Sequence, residues 1–328
     1  MRASSLQRML QAVLLVGAPF ALTNCWGSSC PDNGAEPPLS KSRAVTADFA
    51  NGGPLDVEQC EQVCHVEFDG PVVTCVRESA ESVLCLTEPF PCEGRRPIGL
   101  RRVSHAALSG FDCHLAAAAW LEAASIDAFR LLRRELRAAG APRRLLRAAS
   151  RSARDERRHA RIAGALARRF GVAVSAVERD PAPPRSLAEL ALENAVEGCV
   201  RETWGALVAL RQARRASDSS VRAAMSRIAP DEVRHAELAW AVDRWLSQRL
   251  NAEQRRQVQR ARLAALTELA RELEQELPVA ERARLGLPGR DEAAVMCAEL
   301  ARRMALENRD VRADGHIRTR PGFGAANA

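Results

Sequence analysis

Two six-residue stretches of the chain are nearly identical: residues 155–160 are DERRHA and residues 231–236 are DEVRHA. Both lie within long segments of helical periodicity. In an α-helix, a Glu and a His three residues apart lie on one face, so each stretch can present a carboxylate oxygen and an imidazole nitrogen to one metal ion. The chain has only 6 His, and two of them lie in this repeat. The repeat therefore predicts two helices that together form a carboxylate–histidine site for two metal ions.

The repeat extends beyond the motif. Glu122 precedes Glu156 by 34 residues, and Glu197 precedes Glu232 by 35. Each half of this region predicts a helical hairpin, and two copies of one hairpin favour a four-helix bundle with a pseudo-twofold axis. The first hairpin is predicted to turn at residues 140–142, where Gly suits the end of one helix and Pro suits the start of the next.

The predicted helix faces place these ionisable side chains among apolar ones. Glu122 shares a face with Leu115 and Phe129, and His159 shares one with Leu166. An unpaired buried charge is costly, so such side chains need a compensating partner. A pair of divalent metal ions would compensate them.

The order Glu, Glu-x-x-His, Glu, Glu-x-x-His over four helices resembles the ligand order of the ferritin-like di-iron carboxylate proteins, a superfamily that includes the rubrerythrins. The resemblance covers residues 108–250, and six residues carry it: Glu122, Glu156, His159, Glu197, Glu232 and His235. It implies that the two motif Glu bridge or chelate two iron ions, that each motif His binds one ion, and that the other two Glu are terminal ligands. Manganese or a mixed metal pair would use the same ligands.

The resemblance also implies partners for the histidines. In related oxygenases and reductases, the Asp before the motif Glu bonds the histidine of the opposite helix pair. That arrangement pairs Asp231 with His159 and Asp155 with His235, which would fix the tautomer and raise the basicity of each imidazole.

Alternatives remain open around this set. Arg158 and Arg234 either hold the two aspartates or lie on the solvated surface. On the third helix, Glu193 could be an additional ligand, as in rubrerythrin-like proteins. Glu202 could replace Glu197 as the ligand, although the repeat spacing and the apolar face favour Glu197.

Composition limits the other functions. The chain has 328 residues with 47% hydrophobic content, enough for a sizeable core and a second module. The net charge of +7 would suit nucleic acid, but almost every basic residue is Arg, spread over predicted helices without interleaved aromatics, so we expect no nucleic-acid partner. The chain has no Tyr, which excludes a stored tyrosyl radical.

Residues 1–25 predict an export signal, because two arginines precede an apolar run that is too short to span a bilayer. The Leu-Thr-Asn-Cys of residues 22–25 resembles a bacterial lipobox, which would make Cys25 a lipidated first residue, although Asn stands where Gly or Ala is expected. The alternative is an N-terminal helix that stays attached. We expect an exported protein, in the periplasm or on the outer cell surface, for which a lipid anchor at Cys25 would be the only membrane attachment.

Residues 26–105 predict a small cysteine-rich module. Its cysteines are Cys30, Cys60, Cys64, Cys75, Cys85 and Cys92. In an oxidising compartment they could form up to three disulfides, whose connectivity the sequence does not determine. Cys60 and Cys64, with His65, could instead bind zinc, but the export signal favours disulfides.

The expected fold is mainly α: a ferritin-like bundle at residues 106–250, additional helices at 251–308 and a flexible tail at 309–328. The expected function is that of a dimetal carboxylate protein that reacts with dioxygen or peroxide, as an oxidase, oxygenase or ferroxidase, with or without a small-molecule substrate. The rival is a surface-attached structural or binding lipoprotein that uses the bundle as a metal-free scaffold. The export signal disfavours a third class, the RNA-modifying hydroxylases.

Overall fold

The computed structural model describes most of the chain from residue 110 onward and shorter stretches before it. The described residues are 6, 10–14, 40–44, 74–77, 82–86, 95–101, 108, 110–272 and 277–314. The predicted lipobox and Cys30, Cys60, Cys64 and Cys92 lie outside them, as do the side chains of Cys75 and Cys85. The predicted disulfides therefore stay predictions.

The described part of the chain is mainly helical, which confirms the predicted α class. Its helices are α1 (Gly110–Ala138), α2 (Arg143–Arg169), α3 (Leu187–Glu193), a π-helical segment (Asn194–Glu202), α4 (Thr203–Arg215), α5 (Ser219–Ser247), α6 (Ala252–Glu272), α7 (Val279–Leu285) and α8 (Arg290–Asp314). Helix α8 continues into the stretch predicted as a tail. Three short antiparallel strands precede the helices, β1 (Ser40–Ala44), β2 (Thr74–Arg77) and β3 (Ser82–Leu86), in the order β1-β3-β2.

Helices α1 and α2 form the first hairpin. Gly140 ends α1 with φ at 72°, a left-handed conformation that Gly adopts at little cost. The amide of Ala141 donates to the carbonyl of Leu136 at 2.8 Å, which closes the last turn, and Pro142 precedes α2. The turn therefore forms where the sequence predicts it.

The second hairpin consists of one long helical stretch, from α3 through the π-helical segment to α4, and then α5. Ser186 caps α3 in a capping box with Glu189, and Asp218 caps α5 by accepting from the amides of Ser220 and Val221. Helices α2 and α5 pack on each other. Their contact brings the two copies of the repeated motif together.

A buried apolar cluster joins the turn of the first hairpin to the end of the second hairpin that lies away from its own turn. It includes Phe129 and Leu136 of α1, Leu145 of α2, and Val242 and Trp245 of α5. Burial of each large apolar side chain stabilises the fold by about 1.5–3 kcal/mol. This cluster fixes the helices on one side of the repeated motifs.

Part of the predicted export signal is buried. Leu6, Leu10 and Val13 are at most 2% exposed and lie in an apolar cluster with Trp204 of α4 and Leu300 of α8. This placement corresponds to the alternative of an N-terminal helix that stays attached. Among the described residues, no helix has both the length and the apolar character needed to cross a bilayer.

Candidate metal centre

The two copies of the motif lie in the middle of α2 and α5, on the faces that meet in the interior. Glu156 and His159 of α2 are 1% and 0% exposed, and Glu232 and His235 of α5 are 6% and 1% exposed. The three-residue spacing places each Glu and His on the same helix face, as expected. The packing of α2 on α5 then brings both pairs into one cluster.

Six side chains meet there in two overlapping groups. One group is Glu122, Glu156, His159 and Glu232, and the other is Glu202, Glu232 and His235. Within each group, one nitrogen or oxygen atom per residue lies within 4.8 Å of all the others, so that each group could hold a metal ion. Glu232 belongs to both groups, so the two positions are adjacent.

Both motif carboxylates lie between the two imidazoles. An oxygen of Glu232 is 3.0 Å from Nδ1 of His159 and 3.4 Å from Nδ1 of His235. The oxygens of Glu156 are 3.7 Å and 3.1 Å from the same two nitrogens. Both carboxylates could therefore contact two neighbouring metal ions.

The other two carboxylates lie at opposite ends of the cluster. Glu122 of α1 approaches Nδ1 of His159 at 3.3 Å, and Glu202 of the π-helical segment approaches Nδ1 of His235 at 3.9 Å. The side chain of Glu122 is 14% exposed, whereas that of Glu202 is 0% exposed. Glu122 is therefore the partly exposed carboxylate of the cluster, and Glu202 is fully buried.

The structure does not bring Glu197 into this cluster, and the preference of the sequence analysis for Glu197 over Glu202 is corrected. Glu197 accepts hydrogen bonds from the backbone amide of Arg96 at 3.1 Å and from its guanidinium at 2.8 Å. Glu193 accepts two hydrogen bonds from Arg95, at 2.8 Å and 2.6 Å. Neither carboxylate belongs to the two groups that could hold a metal.

The π-helical segment is the physical reason for this correction. In an uninterrupted α-helix, a residue five positions after Glu197 points about 140° away from it. With the wider i→i+5 turn, Glu202 comes back toward the side that Glu197 occupies, one turn further along. Asn194 and Gly198, two weak helix formers inside an apolar helical stretch, are the sequence signal that could have indicated an irregular turn.

The aspartates of the two motifs lie behind the histidines of the opposite helices. Asp231 is 3.1 Å from Nε2 of His159, and Asp155 is 3.8 Å from Nε2 of His235. With Nε2 directed at an aspartate, each imidazole directs Nδ1 at the carboxylates of the cluster. Of the two pairs implied by the resemblance, Asp231 and His159 are at hydrogen-bond distance, whereas Asp155 and His235 are at ion-pair distance.

Arg158 and Arg234 both contact these aspartates. Arg158 bonds Asp155 at 3.0 Å and also bonds Asp231. Arg234 bonds Asp155 at 3.3 Å and also bonds Asp231. The two arginines therefore hold both aspartates in place, and are not merely part of a solvated surface.

Sequence analysis did not identify residues 95–101 as part of the site. Arg95 is 1% exposed, and its carbonyl accepts a hydrogen bond from Ser125 of α1 at 3.0 Å. Further along, Leu100 forms an antiparallel bridge with Arg179. Residues 95–101 thus connect α1 to the π-helical segment. Arg95 and Arg96 bind the carboxylates of Glu193 and Glu197, which do not face the histidines.

Several polar atoms of the cluster lack a hydrogen bond. Among the described residues, both oxygens of Glu156 and of Glu202, both ring nitrogens of His235 and Nδ1 of His159 are buried without a partner in hydrogen-bond geometry. They approach one another only at ion-pair distances. Buried polar atoms are costly unless paired, and carboxylate and imidazole atoms that converge without hydrogen bonds fit metal ligands.

Without metal, protons balance the charge of the cluster. Burial, together with repulsion from Glu156, raises the pKa of Glu122 well above its usual value, and burial with repulsion from Glu232 does the same for the pKa of Glu202. Burial disfavours a charged imidazole, but the attraction of Glu122 outweighs it and raises the pKa of His159 to about 12.

The pKa values of the other three residues of the cluster are shifted as well. Attraction to Glu232 outweighs burial and raises the pKa of His235 well above its usual value. Burial also opposes the ionisation of Glu156 and Glu232, yet attraction to His235 lowers the pKa of both carboxyls. Two neutral carboxyls, two carboxylates and two imidazolium ions sum to zero charge.

Two divalent ions would give the same balance, because their four positive charges equal the four negative charges of the ionised carboxylates. The residues present therefore fit a pair of divalent metal ions.

Comparison of the chain with family models, with curated proteins and with solved structures found no match. The function is therefore inferred from the geometry and chemistry of this cluster.

Proposed function

We propose that this protein is a ferritin-like dimetal carboxylate protein whose two metal ions, iron by first preference, react with dioxygen or peroxide. The observation that carries the proposal is the placement of Glu156 and Glu232 between two imidazoles, at 3.0–3.7 Å from their Nδ1 atoms. The candidate ligands come from four helical segments that belong to two hairpins. This origin supports a four-helix bundle of the ferritin-like kind.

The donor atoms favour redox-active transition metals. Imidazole nitrogen suits iron, zinc and copper, whereas carboxylate oxygen suits manganese and other hard ions, and a mixed set of four carboxylates and two imidazoles suits iron or manganese. When bound, such a pair of ions supplies electrons to dioxygen or peroxide. The oxidised product is iron itself or a small organic molecule, in line with a ferroxidase, oxidase or oxygenase.

The chain's own residues would hold the two metal ions and orient their ligands. Asp231 and Asp155 lie behind the two imidazoles, whose Nδ1 atoms point inward, and the arginines around the aspartates hold them in place. Glu122 is partly exposed, so its carboxyl is the group that an incoming small molecule would meet first and could exchange a proton with. The carboxyl of Glu202 is fully buried.

The decisive experiment measures metal in the full chain after anaerobic loading with Fe²⁺. We expect about two iron ions per chain and rapid oxidation when dioxygen or peroxide is added. Glu232→Ala should lose both ions, because Glu232 belongs to both groups. Glu237→Ala, on the same helix but outside both groups, is the matched control and should keep them.

A full chain that takes up no iron or manganese, and whose stability is the same with and without added metal, would overturn the proposal. It would favour the rival function, a surface-attached structural or binding protein with a metal-free bundle. Export to the periplasm or outer surface is also part of the proposal. Fractionation of cells that express the full chain tests it, and a protein retained with residues 1–25 still attached would contradict export.

A further inference from the structure

Helix α2 has an outward face that consists almost entirely of arginine and alanine. The helix contains ten Arg and two acidic residues, Asp155 and Glu156, and both acids are buried on the inward face. The exposed arginines are Arg143, Arg144, Arg147, Arg151, Arg154, Arg157, Arg161, Arg168 and Arg169. Helix α2 therefore carries ten of the chain's 48 basic residues and exposes no acidic residue to balance them.

This concentration opposes the stability of the helix itself. Arg143, Arg147 and Arg151 follow one another at four-residue spacing, where like charges repel. The first turn carries Arg143 and Arg144 and no acidic residue, although a helix N-terminus favours negative charge. Local stability would select Glu or Asp at several of these positions, so the arginines need an explanation outside the helix.

The exposed arginines extend along the whole length of α2. Arg147, Arg154, Arg161 and Arg168 recur every seven residues, so they form a nearly straight line, which drifts by about 20° per step, along a helix about 40 Å long. The last turns of α1 add Arg134 and Arg137, both exposed, beside the start of α2. We define this surface, from Arg134 to Arg169, as the arginine face.

We propose that the arginine face binds the surface of a membrane that contains anionic phospholipids. A planar array of phosphates can contact a straight line of arginines over its whole length, and guanidinium groups bind phosphate oxygens in pairs. Each basic residue close to such a surface adds to the attraction. The proposal does not depend on the metal centre, which lies on the opposite face of α2.

Duplex nucleic acid fits this face less well. Its phosphates follow two helical strands, so a nearly straight line of arginines would meet phosphates only where a strand crosses that line. The exposed large apolar side chains of the described residues are Ile98, Leu263, Val279 and Val295, none of which is on α2. Binding at this face is therefore electrostatic adsorption without insertion, and salt should reverse it.

The test is co-sedimentation of the full chain with vesicles of phosphatidylglycerol and phosphatidylcholine, or of phosphatidylcholine alone. The test variant is R147Q/R154Q/R161Q, which removes three exposed arginines that do not contact the metal cluster. The control is R214Q/R215Q/R227Q, which removes three exposed arginines from α4 and α5. All proteins keep the apolar N-terminal segment, so its own affinity for lipid cancels in the comparison.

We expect the unmodified chain to bind the anionic vesicles and to dissociate at high salt. The α2 variant should bind about a hundredfold more weakly, while the control stays within a few-fold of the unmodified chain. The α2 variant should also remain as helical by circular dichroism, because its substitutions relieve repulsion. Equal losses in both variants, equal binding to phosphatidylcholine alone, or α2-dependent binding of duplex DNA without vesicle binding would each overturn the proposal.

Discussion

Glu197 and Glu202 lie five residues apart on one helical segment, yet they have different electrostatic partners. Arg96 holds Glu197 as a carboxylate and lowers its pKa despite burial. Glu202 faces His235 and Glu232, and burial raises its pKa well above the usual value. In the metal-free protein Glu197 is thus charged and Glu202 is neutral, so the same substitution at the two positions should have opposite consequences.

Glu202→Gln replaces a neutral acid by a neutral amide of the same shape, so the metal-free protein should keep its stability. It removes a ligand atom from one group, and we expect about one ion per chain in place of two. Glu197→Gln should keep both ions but lose about 1–3 kcal/mol of stability, because it leaves the buried partner of Arg96 uncharged. Metal analysis and urea unfolding of the metal-free variants check both outcomes; loss of metal in Glu197→Gln alone would contradict this assignment.

At this scale the sequence predicted five of the six clustered residues. Glu156, His159, Glu232 and His235 came from the repeated motif, and Glu122 from its helix face. Glu202 was only the second choice, because a helical wheel assumes a constant turn and cannot represent an inserted π turn. Arg95 and Arg96 could not be found, since their contacts with Glu193 and Glu197 span about a hundred positions of sequence.

Two buried glycines, one in a regular α-helix and one in the π-helical segment, differ in the space available for a side chain. Gly164 lies in regular α2, where an added Cβ would meet only the flexible end of Arg168 at 3.5 Å. Gly198 lies in the π-helical segment, where an added Cβ would come within 2.7 Å of Asn194 and 2.9 Å of Ala239. The first glycine is replaceable, whereas the second lets the π-helical segment pack closely against α5.

We therefore expect the same Gly→Ala change to have opposite signs in the two elements. Gly164→Ala should raise stability by up to about 1 kcal/mol, because alanine is the better helix former. Gly198→Ala should lower it by about 1–3 kcal/mol through overpacking, and should shift Glu202 enough to weaken metal binding at His235. Urea unfolding and metal titration of the two variants measure these effects, and stabilisation by both substitutions would show that the π-helical segment is not tightly packed.

The hairpins themselves were predictable as elements. The apolar spacing of α1 and α2 and the Gly and Pro between them are local signals, and the structure has a turn at that place. The burial of Leu6 and Leu10 against α4 and α8 was not predictable in the same way. An apolar N-terminal run looks the same in sequence whether it is a removed signal or a packed helix.

For the whole molecule, the protons of the metal-free cluster make folding stability depend on pH. The pKa of His159 rises from 6.5 in the unfolded chain to about 12 in the fold, so its contribution is complete below pH 6.5 and is lost as the pH rises toward 12. The raised pKa values of Glu122 and Glu202 act in the same direction, because above pH 4.5 these groups are ionised only in the unfolded chain.

Other groups with shifted pKa values affect stability only below pH 6.5 or above about pH 9. The pKa of His114 is lowered by burial from 6.5 to about 4, so it reduces stability only as the pH falls below 6.5. Burial raises the pKa of Cys199 from 9.0 to about 12 and that of Cys297 from 9.0 to about 11, so their effect begins near pH 9. The window between pH 6.5 and 9.0 thus isolates the cluster among these groups.

Within this window, the melting temperature of the metal-free protein should fall as the pH rises. The metal-loaded protein should change little, because two divalent ions displace the protons of Glu122, Glu202 and both histidines. The stabilisation by metal should therefore increase with pH, as binding to the folded state predicts. Thermal unfolding with and without Fe²⁺ or Mn²⁺ under anaerobic conditions measures it, with Glu232→Ala as the variant that should not respond to metal. Parallel pH profiles for the two forms would mean that metal does not replace the protons of this cluster, and that its ligands lie elsewhere in the chain.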